Sequence, residues 1–259
     1  MSTLFLFDMD GTLTPPRKSM PINIEMLLGR IQNAGHEVGI ITGSDMDYVK
    51  QQCSSLFDMP LLDANKIHFL PCNGTKYILN ERIIYSKNMK EQLGINNWRM
   101  LITHLLALQN ELCYEMTSSF PLTGHFFNYR DSMLNWCPIG RNATHEDRKL
   151  WEEIDKNCKI RNPLLEKIRE FTNPLGMNLS IKLGGDTSFD IYPFGWDKTY
   201  PLVETDCFDN YDKIYFIGDR CERNGNDYEI YEHYRTESYK TTGVDHTAEI
   251  VNKILSSDV

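Results

Sequence analysis

Short apolar runs alternate with amphipathic stretches toward both ends of the chain. Residues 4–7 are wholly apolar, and a short run of this kind is typical of a buried strand in a parallel sheet. Residues 22–34 carry apolar side chains at helical spacing, and Gly35 follows where the C-cap of a helix is expected. Strands are predicted in this way at 4–7, 38–41, 67–70 and 214–217. The order of strand, helix and strand predicts an α/β fold with a Rossmann-like parallel sheet.

The pattern changes in the middle of the chain. It predicts a hairpin over 77–85 that turns at Asn80-Glu81, a helix over 87–110, antiparallel segments at 124–129 and 133–137, a charged amphipathic stretch over 145–171 broken near Asn162-Pro163, and strands at 179–183 and 188–192. The α/β pattern returns after Pro193 and ends in a helix over 247–255. We therefore predict two domains: a core of residues 1–86 and 193–259, and an inserted α+β domain of residues 87–192.

Composition excludes several classes of protein. Of the 259 residues, 41% are hydrophobic and 24% charged, which is ordinary for a folded chain of one or two domains and excludes intrinsic disorder. The net charge of −9 argues against partners such as nucleic acids and anionic membranes. No apolar stretch is long enough to span a bilayer, and the N-terminus lacks the features of a signal peptide. Seven scattered cysteines without a CxxC pair favour free thiols, so we expect a cytoplasmic protein.

Chemically useful side chains follow several of the predicted strands. Asp8 and Asp10 come directly after the first strand, Ser44 follows the second, and Asp219 ends the strand at 214–217. In open α/β sheets, ligands bind at the carboxyl ends of the strands. Each residue alone has an ordinary explanation, such as an Asp-rich turn or, for Ser44, a helix N-cap. Together with Lys198, they form a set suited to Mg²⁺-assisted phosphoryl transfer.

The same segments carry a resemblance to a known family. DMDGT, ITGS, Lys198 and GDRCERNGND resemble the four motifs of the haloacid dehalogenase-like superfamily. The longer segments LFDMDGTLTPPR, YRDSMLNWCPIGR, SFDIYPFGWDK and IYFIGDRCERNGNDYEIY resemble eukaryotic phosphomannomutases, with the same order and spacing. The resemblance implies a haloacid dehalogenase-like core with an inserted cap domain and a homodimer formed through the cap. It also implies interconversion of mannose 1-phosphate and mannose 6-phosphate, with a hexose 1,6-bisphosphate activator, in support of GDP-mannose synthesis.

Residue roles follow from the resemblance position by position. Asp8 would be the nucleophile that becomes an aspartyl phosphate, and Asp10 the general acid and base. Mg²⁺ would be held by Asp8, the backbone carbonyl of Asp10, and Asp219, with Asp227 in support. Ser44 and Lys198 would steady the phosphoryl group in transfer. The remaining contacts to the sugar phosphate substrate would come from Arg17, Arg130, Arg141, Arg148, Ser188 and Asp190. Arginine suits this work because its planar fork bonds two phosphate oxygens at once, whereas Asp190 would accept from a sugar hydroxyl.

Two other functions stay open at this point. A sugar phosphatase of the same fold would use the same first aspartate, and a catalytically inactive scaffold would keep the fold alone. The presence of Asp8, Asp10, Lys198 and Asp219 argues against the scaffold. One departure from the family concerns a second metal loop, where His233 stands in place of a carboxylate. Because Mg²⁺ prefers oxygen ligands, we expect no second Mg²⁺ there.

Overall fold

The computed structural model describes residues 2–16, 18–57, 62–115, 120–223 and 225–257. The chain divides into two compact units. The first comprises Met1–Ser86 and Trp196–Val259, and the second comprises Lys87–Gly195.

The strands are β1 (Thr3–Phe7), β2 (Glu37–Ile41), β3 (Ile67–Leu70), β4 (Lys76–Leu79), β5 (Arg82–Ser86), β6 (Phe127–Tyr129), β7 (Leu134–Trp136), β8 (Leu179–Gly184), β9 (Ser188–Pro193), β10 (Lys213–Gly218) and β11 (Thr236–Lys240). The α-helices are α1 (Ile22–Asn33), α2 (Met46–Gln52), α3 (Met89–Glu115), α4 (His145–Cys158), α5 (Arg161–Thr172), α6 (Tyr200–Val203), α7 (Tyr228–Tyr231) and α8 (Val244–Ser257). Short 3₁₀ turns lie at Ser54–Phe57 and Ala64–Lys66.

The first unit is built on a seven-stranded sheet in the order β11-β10-β1-β2-β3-β4-β5. The strands from β11 to β3 run parallel, and β4 and β5 continue the sheet in antiparallel pairing. Alternate residues of β1 enter two hydrophobic clusters: Phe5 and Phe7 belong to one, and Leu4 and Leu6 to the other. Both faces of the sheet are therefore covered, as a parallel sheet requires. This confirms the predicted α/β class.

The parallel pairing also positions the ends of the strands. Phe7 at the end of β1 pairs with Ile217 in β10 and with Ile40 in β2. The residues that follow these strands therefore emerge at one edge of the sheet. A tight hairpin joins β4 to β5 through Asn80 and Glu81, whose φ angles of 50° and 60° are those of the two-residue turn predicted there.

The second unit holds a four-stranded antiparallel sheet in the order β6-β7-β9-β8. Helices α3 and α5 contact strands β9 and β8 and each other. Trp136 and Phe189 stack in the core with ring centroids 4.9 Å apart, and both side chains are fully buried.

The structure corrects the sequence prediction in three places. The break in the charged stretch lies at Lys159, which ends α4 with a left-handed φ of 52°, and Pro163 lies in the first turn of α5, where proline fits. The helix predicted over 87–110 runs over Met89–Glu115 and contains a break at Gly94, where φ is 75°. The sequence analysis missed β11, a polar edge strand without an apolar run.

Candidate functional site

Three aspartates meet at the carboxyl edge of the parallel sheet in the first unit. Asp8 follows β1, Asp219 follows β10, and Asp227 directly precedes α7. One ligand oxygen from each lies within 4.8 Å of the others. Asp8 and Asp227 are buried, and Asp219 is half-buried. The backbone N–H of Asp8 donates to the carbonyl of Ile217 at 2.9 Å, so the β1–β10 pairing places Asp8 beside the chain that leads to Asp219.

Two glycines make room for these carboxylates. Gly11 has a φ of 81°, and a Cβ atom there would lie 2.3 Å from Oδ2 of Asp219. A Cβ atom on Gly218 would lie 2.6 Å from Oδ2 of Asp227. Any side chain at either position would therefore displace a carboxylate, and at Gly11 the backbone conformation also favours glycine.

Lys198 lies between two of the aspartates and is completely buried. Its Nζ donates to Oδ1 of Asp8 and, at 2.6 Å, to Oδ1 of Asp227. The other oxygen of Asp227 accepts from the backbone N–H of Arg220 at 3.0 Å. Both oxygens of Asp227 are thus held by the protein, and Asp227 in turn fixes the ammonium group beside Asp8.

Three carboxylates lie around one ammonium group, and both burial and the carboxylates' mutual repulsion raise pKa values at this site. Burial, followed by repulsion from Asp227, raises the pKa of Asp8 well above its ordinary value. Burial and Asp227 also raise the pKa of Asp219 to about 6. Burial lowers the pKa of Lys198, but attraction to Asp227 and Asp8 outweighs it, so that pKa is raised. The site therefore has excess negative charge and offers carboxylate oxygens, which are the ligands Mg²⁺ prefers. The residues present fit a bound divalent cation.

Asp10 lies in the tight turn after β1 and is half-buried. The turn is closed by the N–H of Gly11, which donates to the carbonyl of Thr14 at 2.7 Å, and by the N–H of Leu13, which donates to that of Met9 at 2.9 Å. Oδ1 of Asp10 accepts from the phenol of Tyr48 at 3.2 Å. Sequence analysis did not single out Tyr48, because a tyrosine in the first turn of a helix has no signature of its own.

Ser44 does not cap the helix that follows it. The N-cap of α2 is Asp45, whose side chain accepts from the N–H of Tyr48 at 2.9 Å. The backbone of Ser44 is fixed by its N–H to Oγ1 of Thr42 at 3.1 Å and by the N–H of Cys72 to its carbonyl at 2.8 Å. The ordinary explanation of Ser44 as a helix cap is therefore wrong, and its predicted contact with a phosphoryl group stays a prediction.

A second polar group lies in the other unit, around the buried side chain of Asn135. Its Nδ2 donates to Oδ1 of Asp190 at 2.7 Å and to Oγ of Ser188 at 2.9 Å, and its Oδ1 accepts from Nη1 of Arg141 at 2.9 Å. The pairing of β7 with β9 sets Asn135 opposite Asp190. Three of the predicted substrate residues are thus joined through a residue to which sequence analysis gave no role, although it lies within the quoted segment YRDSMLNWCPIGR.

Arg148 is buried, with 8% of its surface exposed, and it holds the loop that carries Arg141. Its guanidinium donates to the carbonyl of Arg141 at 2.7 Å, to that of Ala143 at 3.1 Å and to Oγ1 of Thr187 at 3.0 Å. The structure therefore gives Arg148 a bracing function, and its predicted contact with substrate stays a prediction.

The other two predicted arginines differ in what can be described. Arg130 lies in the turn between β6 and β7, half-buried, with its N–H donating to the carbonyl of Met133 at 2.8 Å. Arg17 lies outside the described residues.

All seven cysteines are free. Among the described residues, no helix combines the length and apolarity needed to cross a membrane.

Comparison with known proteins gives consistent matches. Residues 25–257 match the family described as eukaryotic phosphomannomutase. The chain is 33% identical over 254 residues to a phosphomannomutase of Drosophila melanogaster, covering 97% of this chain and 95% of that protein. It is 35% identical over 256 residues to a phosphomannomutase of Schizosaccharomyces pombe, covering 98% and 95%.

Solved structures share the fold at low sequence identity. An IMP-nucleotidase of Plasmodium falciparum, truncated at its N-terminus, is similar with a TM-score of 0.63 at 12% identity, covering 98% of this chain and 70% of that one. A trehalose-6-phosphate phosphatase related protein is similar with a TM-score of 0.57 at 13% identity, covering 98% of each chain. These likenesses show the fold class alone.

Proposed function

The chain belongs to the eukaryotic phosphomannomutase family, and from this premise we propose how its own residues interconvert mannose 1-phosphate and mannose 6-phosphate. The protein is an isomerase that transfers a phosphoryl group within a sugar phosphate. The observation that carries the proposal is the buried group of Asp8, Lys198 and Asp227, with Asp219 beside it.

Asp8 is the proposed nucleophile. It forms a bond to phosphorus and becomes an aspartyl phosphate, while the bond from phosphorus to the sugar oxygen breaks. Two like charges resist this approach, because a carboxylate and a phosphate dianion repel each other. Lys198 reduces that repulsion, since its ammonium group contacts Asp8 and is excluded from water. Asp227 keeps the ammonium in place.

Mg²⁺ would be held by Asp8, Asp219 and the backbone carbonyl of Asp10, with Asp227 in support. When bound, it neutralises negative charge on the carboxylates and on the transferring phosphoryl group. Asp10 supplies the proton to the sugar oxygen that leaves and removes it again in the reverse direction. Ser44 donates its hydroxyl to the phosphoryl group.

The unit of residues 87–195 is the proposed cap, and it binds the far end of the sugar phosphate. In this unit Arg130, Arg141 and Arg148 bind the phosphate that is not reacting, while Ser188 and Asp190 contact the sugar. By resemblance to the family, Arg17 of the first unit binds the same phosphate. Support comes from the Asn135 network, which orients Arg141 and Asp190. A second anion site of this kind is what a mutase needs and a phosphatase lacks.

Several wider features of the proposal rest on the family resemblance and, for the cytoplasmic location, on the free cysteine thiols. A hexose 1,6-bisphosphate activates the enzyme by phosphorylating Asp8. The protein forms a homodimer through its cap, acts in the cytoplasm, and supplies mannose 1-phosphate for GDP-mannose synthesis.

The test is an assay of purified protein with Mg²⁺ and mannose 1-phosphate, with and without a hexose 1,6-bisphosphate. We expect mannose 6-phosphate, with formation that depends on the bisphosphate and is lost in Asp8→Asn, since an amide cannot form the acyl phosphate. The variant should remain folded by circular dichroism. Release of free phosphate without mannose 6-phosphate would instead identify a sugar phosphatase, and the absence of both products would identify an inactive scaffold.

A further inference from the structure

We propose that Tyr48 is a positioning residue for Asp10: its phenol holds the Asp10 carboxyl group in the orientation from which it exchanges a proton with the sugar oxygen. The inference rests on the proposed function of Asp10. The observation behind it is the hydrogen bond from the Tyr48 hydroxyl to Oδ1 of Asp10 at 3.2 Å.

Tyr48 is fixed at both ends. Its backbone N–H donates to the side chain of Asp45, the N-cap of α2, at 2.9 Å. Its ring packs against the hydrophobic cluster that contains Phe7, Met9 and Val49. The ring therefore has little freedom, and the hydroxyl at its tip stays beside Asp10. A phenol carried by a packed ring is a more precise donor than a hydroxyl on a flexible side chain.

The turn acts on the backbone of Asp10, whereas the hydrogen bond from Tyr48 acts on its side chain. The hydrogen bonds of Gly11 to Thr14 and of Leu13 to Met9 define the path of the chain. The rotamer of Asp10 depends on the contacts of its carboxyl group, and the hydrogen bond from Tyr48 is one of them. A carboxyl group that exchanges protons must lie within hydrogen-bond reach of the reacting oxygen, so its rotamer affects the rate directly. Tyr48 contributes to holding that rotamer.

The step in which Tyr48 acts is the proton exchange with the sugar. When phosphorus passes from a hexose bisphosphate to Asp8, a bond forms between a carboxylate oxygen of Asp8 and phosphorus. The bond from phosphorus to the sugar oxygen breaks, and its electron pair passes to that oxygen. The sugar oxygen then takes the proton of the Asp10 carboxyl group. With p-nitrophenyl phosphate, the electron pair remains on a stable phenolate, and no proton is needed.

This difference between leaving groups supplies the test. Tyr48→Phe keeps the ring and removes the hydroxyl. With Mg²⁺ present, we expect kcat for the conversion of mannose 1-phosphate to fall about 10-fold, the size expected for losing one hydrogen bond to a charged group, with little change in KM. The burst of p-nitrophenolate from p-nitrophenyl phosphate should keep its wild-type rate. In the double variant Tyr48→Phe with Asp10→Asn, the loss should equal that of Asp10→Asn alone, because Tyr48 acts through Asp10.

Tyr211→Phe is the matched control. It removes another phenol of the same unit that donates to a carboxylate, Oε2 of Glu37 at 2.7 Å. Its kcat should stay at the wild-type value. A cooperative thermal unfolding transition in each variant is the check that it folds.

Asp10→Asn separates failure of this inference from failure of the proposed function. A loss of about 10² to 10⁴ with the sugar substrate and none with p-nitrophenyl phosphate would support the function of Asp10. If Asp10→Asn behaves in this way and Tyr48→Phe has wild-type kcat, the inference about Tyr48 is overturned and the function of Asp10 stands. Equal losses by Tyr48→Phe with both substrates would make Tyr48 a structural residue only, which also overturns the inference. If Asp10→Asn itself loses both activities equally, the function of Asp10 and the inference fall together.

Discussion

Lys198 and Asp8 form an ion pair that is shielded from water, with side-chain exposures of 0% and 4%. They are 190 residues apart in the chain, so the contact depends on the fold of the whole first unit. The pair connects stability to chemistry, because the ammonium group that stabilises buried carboxylates is the group proposed to steady the phosphoryl transfer.

Lys198→Met should therefore destabilise the protein strongly as well as inactivate it. Removing one partner of a buried pair leaves the others uncompensated and costs about 3–5 kcal/mol in the free energy of unfolding. Denaturant unfolding at neutral pH measures it. The control is Lys213→Met, which breaks an exposed pair with Glu237 and should cost less than about 1 kcal/mol. Similar losses in both variants would contradict this account of the buried pair.

Mg²⁺ should raise the melting temperature of the metal-free protein. Three carboxylates lie close together in the folded protein, so a divalent cation should bind the folded state. At a free cation concentration of about 100 times the Kd, binding adds about 2.7 kcal/mol to the free energy of unfolding. Asp219→Asn should abolish this gain, because it removes a proposed ligand. The same change should leave the metal-free protein at least as stable as the wild type, since it removes a repelling charge.

Melting temperatures of the metal-free protein at several pH values extend that experiment. Burial and Asp227 raise the pKa of Asp219 from 3.8 to about 6. A raised carboxyl pKa means that the folded state holds the proton more tightly, so this contribution to stability is present below pH 3.8 and is lost as the pH rises through 6. Asp212→Asn is the control, because Asp212 is exposed and precedes β10 as Asp219 follows it. If Asp212→Asn, and not Asp219→Asn, removed the rise in melting temperature caused by Mg²⁺, Asp219 would not be a metal ligand.

Arg141 and Arg148 should respond differently to substitution. Arg141 is exposed, so Arg141→Ala should fold normally and lose mutase activity by about 30-fold or more, as for loss of one arginine from a phosphate site. Its hydrolysis of small phosphate esters should fall far less, since that step takes place at Asp8 and does not use the proposed second phosphate site. Arg148→Met removes two buried hydrogen bonds and one partly buried one, and should lower the melting temperature. Equal loss of both activities in folded Arg141→Ala would favour a simple sugar phosphatase.

His68 should make the protein sensitive to mild acid. Burial lowers its pKa despite a hydrogen bond to Glu37 at 2.7 Å, so the folded state holds neutral histidine. Its contribution to stability is then full above pH 6.5 and declines as the pH falls below that value, because the unfolded chain binds the proton more readily. Melting temperatures between pH 7.5 and 5.5 test this. His68→Gln should flatten the profile, and an unchanged slope would exclude His68 as its source.

The sequence predicted those parts of the site that depend on local pattern. Apolar runs located β1 and β10, and the rule that ligands bind at the carboxyl ends of parallel strands brought Asp8 and Asp219 together. The pattern could not reveal Tyr48 or Asn135, because their importance lies in what they contact across the fold. β11 was not predicted because a polar edge strand needs no apolar run. The position of the helix break at Lys159 was not predicted because a lysine in a left-handed conformation leaves no sequence signal.

The parallel pairing of β1 with β10 has a consequence for synthesis of the chain. β1 leaves the ribosome first, yet one of its two neighbours begins at Lys213. At a synthesis rate of about 5–20 residues per second, roughly 10–40 s pass between the synthesis of Leu4 to Phe7 and that of this partner strand. During this interval one edge of the apolar strand β1 lacks its partner strand and is prone to aggregation. Molecular chaperones that shield emerging segments should therefore determine how much of this protein reaches the folded state, and stalled chains that end before Lys213 should be prone to aggregate.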